Sequence, residues 1–316
     1  MKLLKFYYMC VYFVPFLIAI SYSNSLPLSM AASARDTKRF KEFEAGLKVI
    51  QDAVDKVNSI VEGTCTPSCS SCLSSEDYML YYTVIYNLSV ANPLGDYSKE
   101  LYYKYKEIFE DHITSKVLPS LREKRDQDLL QELVNRWADY KIMTRWLSRF
   151  FHFLDRYFIP TKKLPSLQET SFTAFHNSVY GEMNSQIRDA VISMINGERE
   201  GEEVDHALVN NIVSIYVEMG IDSNKYYDQD FEAALLQDTA TFYSEKASNW
   251  IQFKSYNDYL LMAEQCLKHE KEKVSFYLQA TTQKKLLQVV EHELLNVHAS
   301  ELEEMKQLDH VVVVSL

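Results

Sequence analysis

Three cysteines, Cys65, Cys69 and Cys72, stand at a C-x3-C-x2-C spacing. That is the ligand pattern of radical iron-sulfur enzymes that hold a cluster with three thiolates. Such a cluster sits on a loop of an α/β barrel with Gly-rich cofactor contacts, and nothing in this sequence supplies that barrel, so the segment reads as a linker. A zinc site would need a fourth ligand that the local sequence does not offer. His292-Glu293-Leu294-Leu295-Asn296 comes within one residue of the H-E-x-x-H zinc protease motif, with asparagine in place of the second histidine. His298 is no substitute: six residues along a regular helix is about 600° of rotation, roughly 240° off the face of His292. No G-x-S-x-G, G-x-x-x-x-G-K-[ST] or G-x-G-x-x-G occurs, which removes the hydrolase elbow, the P-loop and the dinucleotide fingerprint. The expectation is a non-enzyme with no cofactor, no metal and no catalytic residue.

The side chains left to act are aromatic. Leu130, Leu133, Trp137, Tyr140, Leu147, Phe150, Leu154 and Phe158 recur at helical steps with one longer gap. Met143, Trp146, Phe151 and Phe153 lie beside that stripe and widen it well past the roughly 100° of a surface helix. The helix is therefore either buried all round or offers a spare face to a partner. A second stretch is equally aromatic, with Tyr78, Met79, Tyr82, Ile85 and Tyr86. Tyr, Trp, Met and Arg dominate binding hot spots, at roughly 2 kcal/mol or more each, so a protein partner is expected here and core packing for about half of the rings.

The elements that must position these faces follow from punctuation. A helix is predicted over 37–62, a Cys/Ser-rich loop over 63–75, and a second helix over 76–90, capped by Asp77 or Ser75 and ended by Asn92-Pro93-Leu94-Gly95. A third helix covers 98–118, a short one 119–124, and the aromatic helix starts near Asp126 and is stopped by Pro160 and Pro165. Further helices are predicted over 166–196, 204–219 ended by Gly220, 231–244, 247–253, 255–278 and 282–307. The β-branched run before Leu316 reads as a tail.

With 7 glycines and 7 prolines in 316 residues the composition argues for an all-α chain. The net charge of −11 disfavours nucleic acid. Five cysteines without a paired pattern suggest a reducing compartment. The N-terminus points the other way: a basic start, an apolar run over 6–20 and Ala32-Ser33-Ala34 read as a signal peptide, the alternative being that Met30 is the working start. Pro15 and the short run argue against a spanning helix, and no stable membrane association is expected.

The stretches DYMLYYTVIYNLS, LYYKYKEIFEDHITSKVLPSLREK, VNRWADYKIMTRWLSRFFHFLDRYFIP and INGEREGEEVDHALVNNIVSIYVEMG resemble cullins, as do FEAALLQDTATFYSEKASNWIQ and YLLMAEQCLKHEKEKVSFYL. The resemblance is to plant members of the SCF-type group and covers about 40–304. It implies a helical rod of cullin repeats, each a five-helix bundle: a leader over 1–36, a first repeat over 37–160, a second over 161–281, and an incomplete third repeat with an unrelated tail over 282–316. It implies a non-catalytic scaffold of a cullin-RING ubiquitin ligase. The second and fifth helices of the first repeat would dock the adaptor that carries F-box proteins. Carried over by position, the contact residues are Tyr78, Met79, Tyr82, Ile85 and Tyr86 on the second helix and Met143, Arg145, Trp146 and Arg149 on the fifth. The region binding the RING subunit and the lysine accepting the ubiquitin-like modifier would lie beyond 316, so no RING partner is expected of this stretch. Location in cytoplasm and nucleus is implied, with secretory entry as the alternative. Asn87-Leu88-Ser89 is a glycosylation sequon on the proposed docking helix. A helical tethering protein of the trafficking type is the other architecture of this kind.

Overall fold

The computed structural model describes residues 28–63, 73–90 and 96–314. Among them all regular structure is helical. The Cys65, Cys69 and Cys72 spacing, residues 1–27 of the expected leader and the 91–95 turn lie outside the described residues.

The first bundle contains α1 (Leu28–Val61), α2 (Ser75–Ser89), α3 (Ser98–His112), α4 (Leu118–Arg122) and α5 (Asp126–Phe150). α1 turns Ile50, Ala53, Val54 and Val57 inward, the i, i+3, i+4, i+7 pattern that makes one buried stripe against α2 and α5. Tyr97, before α3, stacks on Phe43 with ring centroids 4.5 Å apart and donates its hydroxyl to the Arg39 carbonyl. α3 and α4 are joined by a single π-turn, Ile113–Val117, so the expected short fourth helix continues the third.

The aromatic helix differs from expectation at its end. It breaks at Phe151 (φ −89°, ψ 9°) and resumes as a π-turn, Leu154–Phe158, and then α6 (Ile159–Lys162). Pro160 therefore does not stop it. It lies in the first turn of α6, directly after the π-turn, and the chain ends that turn at Lys163 in the left-handed region (φ 53°).

The next elements are α7 (Leu167–Phe175) and α8 (Gly181–Glu200) across a π-turn at His176–Tyr180, α9 (His206–Met219), and α10 (Lys225–Tyr227) with α11 (Ala233–Phe253) across a π-turn at Asp228–Glu232. The helix predicted over 166–196 does not end before Gly197. α8 runs through it and is capped by Gly201 at φ 101°. Gly220 does end α9, but with φ −74°, and Ile221 takes the left-handed conformation (φ 55°) instead. What position 220 requires is the absence of a Cβ, which would meet the Ser223 carbonyl oxygen at 1.9 Å. α11 is unbroken where two helices were expected. α12 (Tyr256–Lys273) is followed by α13 (Ala280–Glu291), a π-turn at His292–Asn296, and α14 (Ala299–Val314), so the β-branched run expected as a tail is helical as far as Val314.

The bundles share one continuous core. α5 packs on α8 and α9, and its Trp137 ring lies 4.8 Å from Phe172 and 4.9 Å from Phe175 on α7. A tyrosine-to-threonine bond recurs along the rod: Tyr102 to Thr170 between α3 and α7, and Tyr227 to Thr282 between α10 and α13, each at 2.8 Å. Together the helices form an all-α rod.

Candidate functional site

α2 is locked at its first turn. Ser74, not Asp77 or Ser75, is the cap: its Oγ accepts from the Asp77 amide and the Asp77 carboxylate accepts from the Ser74 amide, both at 3.0 Å. The other Asp77 oxygen accepts from Lys56 Nζ of α1 at 2.6 Å. The Lys56 ammonium first, and the Ser74 amide second, hold the Asp77 carboxyl below its ordinary range. Tyr81 points inward, donates to Asp52 and is pushed up to about 12, chiefly by burial. These contacts fix the rotation of α2 about its axis.

With Tyr81 and Ile85 turned into the core, helical period sends Tyr78, Met79, Tyr82 and Tyr86 outward. Met79 is 47% exposed and Tyr86 40%, while Tyr78 and Tyr82 are half-buried. Their rings form a ladder, Tyr78 to Tyr82 at 6.3 Å and Tyr82 to Tyr86 at 6.2 Å, all stacked. α5 closes the other side. Phe150 sits beneath, 5.8 Å from Tyr78 and 5.3 Å from Tyr81, and the half-buried Trp146 carries the Arg149 guanidinium 5.4 Å above its ring. Past the break at Phe151, Phe153 meets Tyr86 edge-on at 5.1 Å and Tyr157 follows at 4.6 Å. The result is an aromatic strip across two helices and the turn after them. Beside it lies an open groove of about 550 Å³, lined by Leu73, Ser74, Ser75, Tyr78, Met79, Trp146, Arg149 and His152.

Of the residues singled out in the sequence, Tyr78, Met79, Trp146 and Arg149 converge on this groove, Tyr82 and Tyr86 extend it, and Arg145 is exposed on the same helix outside it. Ile85 and Met143 do not belong to the surface. Both are fully buried, because they fall on the core-facing edges of their stripes, next to Tyr81 and Leu147 respectively. The choice between a helix buried all round and a spare face resolves in shares: Met143 and Phe151 are core, whereas Trp146 and Phe153 remain half-exposed. Leu73, Ser74, Ser75, His152 and Tyr157 were not legible as site residues. Tyr157 is 52% exposed, and the assumed straight helix hid the change of direction that brings it to the strip.

The groove holds one cation over a ring, hydroxyls and apolar side chains, without a nucleophile held by a base. Among the described residues no group of three metal-capable side chains occurs, and His292 lies in a π-turn with Asn296 at its far end. No described helix is long and apolar enough to cross a membrane.

A family model described as the cullin alpha solenoid domain matches residues 47–315. The chain is 51% identical over 261 residues to Cullin-1 of Oryza sativa subsp. japonica, covering 83% of this chain and 34% of that protein. It is 45% identical over 256 residues to Putative cullin-like protein 2 of Arabidopsis thaliana, covering 80% of this chain and 67% of that one. With Cullin-like protein 3 of Arabidopsis thaliana it shares 41% over 249 residues, 78% of this chain and 94% of that one. It thus spans about a third of the long relative and nearly all of the short one. A helical rod whose sequence matches this family over all but its first bundle's leading turns belongs to the cullin family.

Proposed function

We propose that this chain is a non-catalytic scaffold of the cullin-RING type, which docks an SCF adaptor on the α2/α5 surface and through it F-box proteins, in ubiquitin-dependent protein degradation. The observation that carries the reading is the convergence of Tyr78, Met79, Trp146 and Arg149 on one open groove. The two helices involved are those that the family resemblance assigns to the adaptor. The composition is that of a binding hot spot, where each such side chain is worth about 2 kcal/mol. The reading places the protein in cytoplasm and nucleus.

RING binding and modifier acceptance are assigned to none of residues 1–316. Added to a reconstituted reaction, a recombinant stretch of residues 30–316 competes with a full-length cullin for adaptor.

The test is binding of recombinant protein starting at Met30 to a plant SCF adaptor, beside the Tyr82→Ala plus Trp146→Ala variant. Loss of two hot-spot rings weakens binding by about 100-fold or more, with helical content unchanged. A folded wild-type chain that binds no adaptor overturns the proposal.

A further inference from the structure

From Tyr140 to Gln168 the chain carries Lys141, Arg145, Arg149, His152, Arg156, Lys162 and Lys163, against a single acid, Asp155. This is a basic band in a molecule of net charge −11. Asp155 does not neutralise it, because its carboxylate turns away to accept the Leu167 amide at the start of α7. Lys141 is spent on Glu218 at 2.8 Å. The arginines of the band, Arg145, Arg149 and Arg156, are in no ion pair and make no hydrogen bond to the protein among the described residues.

That sets them apart from the other described arginines. Arg39 donates to Tyr97, Arg122 to Glu182, Arg125 to Gln186, Arg136 to Glu132, Arg188 to Asp189 and Arg199 to Glu270. In a chain with 44 carboxylates and 33 Lys and Arg, exposed guanidiniums find partners easily. The three without one stand together along the edge of the aromatic strip. Arg145 and Arg149 are one turn apart on α5, and Arg156 follows the break at Phe151. Two are held against rings of that strip, Arg149 over Trp146 at 5.4 Å and Arg156 over Tyr157 at 5.6 Å, which limits their rotamers before a partner arrives.

We infer that the strip takes an acidic partner surface: carboxylates of the partner meet the Arg145, Arg149 and Arg156 line while its apolar side chains enter the groove beside Trp146 and Met79. This rests on the adaptor reading above and adds the chemistry of the partner's face. The arginines set the rate of encounter and exclude neutral or basic competitors, and the rings hold the complex once formed. The physical reason is range. Charge acts over a Debye length of about 8 Å at physiological salt, whereas ring packing acts only at contact. The net charge of −11 repels an acidic protein at long range, so the arginine line is also what orients approach.

The experiment is association and dissociation kinetics with the adaptor across ionic strength, for wild type, the Arg145→Gln/Arg149→Gln/Arg156→Gln triple variant and the matching triple lysine variant. The glutamine variant lowers the association rate about 10-fold at low salt and flattens its salt dependence, with dissociation changed by less than about 3-fold, and the lysine variant keeps the wild-type association rate. Unchanged association with an unchanged salt slope overturns the inference and leaves the docking proposal standing. So does a loss confined to dissociation, or binding of anionic vesicles or RNA that depends on the same arginines while adaptor binding does not. If wild type binds no adaptor at all, the docking proposal fails and this inference falls with it.

Discussion

Trp137 on α5 donates its indole N–H to the Glu218 carboxylate on α9 at 2.7 Å, joining residues 81 apart in sequence across the two halves of the rod. Lys141, one turn on, reaches the same oxygen at 2.8 Å. The ring is otherwise buried against Phe172 and Phe175, so it carries both the polar and the apolar contact at this junction. Trp137→Phe should lower stability by about 1–2 kcal/mol through the lost charge-assisted bond, and Trp137→Ala by about 4 kcal/mol through the cavity. Urea unfolding of both variants checks this. Equal, small losses would mean that the junction is held elsewhere.

Burial separates a stability role from a binding role at the α2/α5 groove. Met143 is fully buried and Met79 is 47% exposed. Met143→Ala should cost about 2–5 kcal/mol of stability, while Met79→Ala stays within about 0.5 kcal/mol of wild type yet weakens partner binding. Melting curves beside binding isotherms decide it, and a Met79→Ala protein that binds like wild type contradicts the placement of that side chain.

His112 supplies a pH dependence. Burial foremost, then the nearby Lys116 and Arg136 cations, depress its imidazole from 6.5 to about 4, with Glu62 opposing them, and its Nδ1 is buried without a partner. Between those two values the unfolded chain holds the extra proton and the folded chain does not. Its contribution is therefore intact above pH 6.5 and is lost as pH falls toward 4, up to about 3 kcal/mol. His112→Gln should flatten that part of the stability profile. A variant as acid-sensitive as wild type between pH 6.5 and 4 would remove His112 as the cause.

Arg199 and Glu270 form a salt bridge at 2.7 Å with side chains 3% and 5% exposed, and Tyr243 donates to the same Glu270 oxygen. Removing one partner leaves the other charge buried. Arg199→Met or Glu270→Leu alone should cost about 3–5 kcal/mol, and the double replacement Arg199→Met/Glu270→Leu should recover much of it. A double-mutant cycle in denaturant reads the coupling, and additive losses would show that the two charges act independently.

Much of this was legible in the sequence where local signals agree. α9 follows from its apolar period and the glycine after it, and the two helices beside the groove from their surplus of aromatic residues. Ile85 and Met143 show where that logic stops. At the edge of a stripe, residue type does not say which way a side chain points, because the rotation of the helix is set by distant partners such as Lys56 and Asp52. The break at Phe151 carries no Gly or Pro to announce it, and Pro160, read as a stop, lies within the helical run that ends at Lys162. The arginine line was visible as residues, but that they lack partners is a property of the folded surface alone.

Each π-turn in the rod, at 113–117, 154–158, 176–180, 228–232 and 292–296, packs one residue more into a turn than an α-helix would. Elsewhere in these helices, gaining or losing a residue swings everything downstream by about 100° and shifts it about 1.5 Å, tearing the buried stripe from its neighbours. Inside a π-turn the surplus residue can be lost and the flanks still meet in step. These five places are therefore the joints at which related rods can differ in length by one residue without altering how their bundles stack.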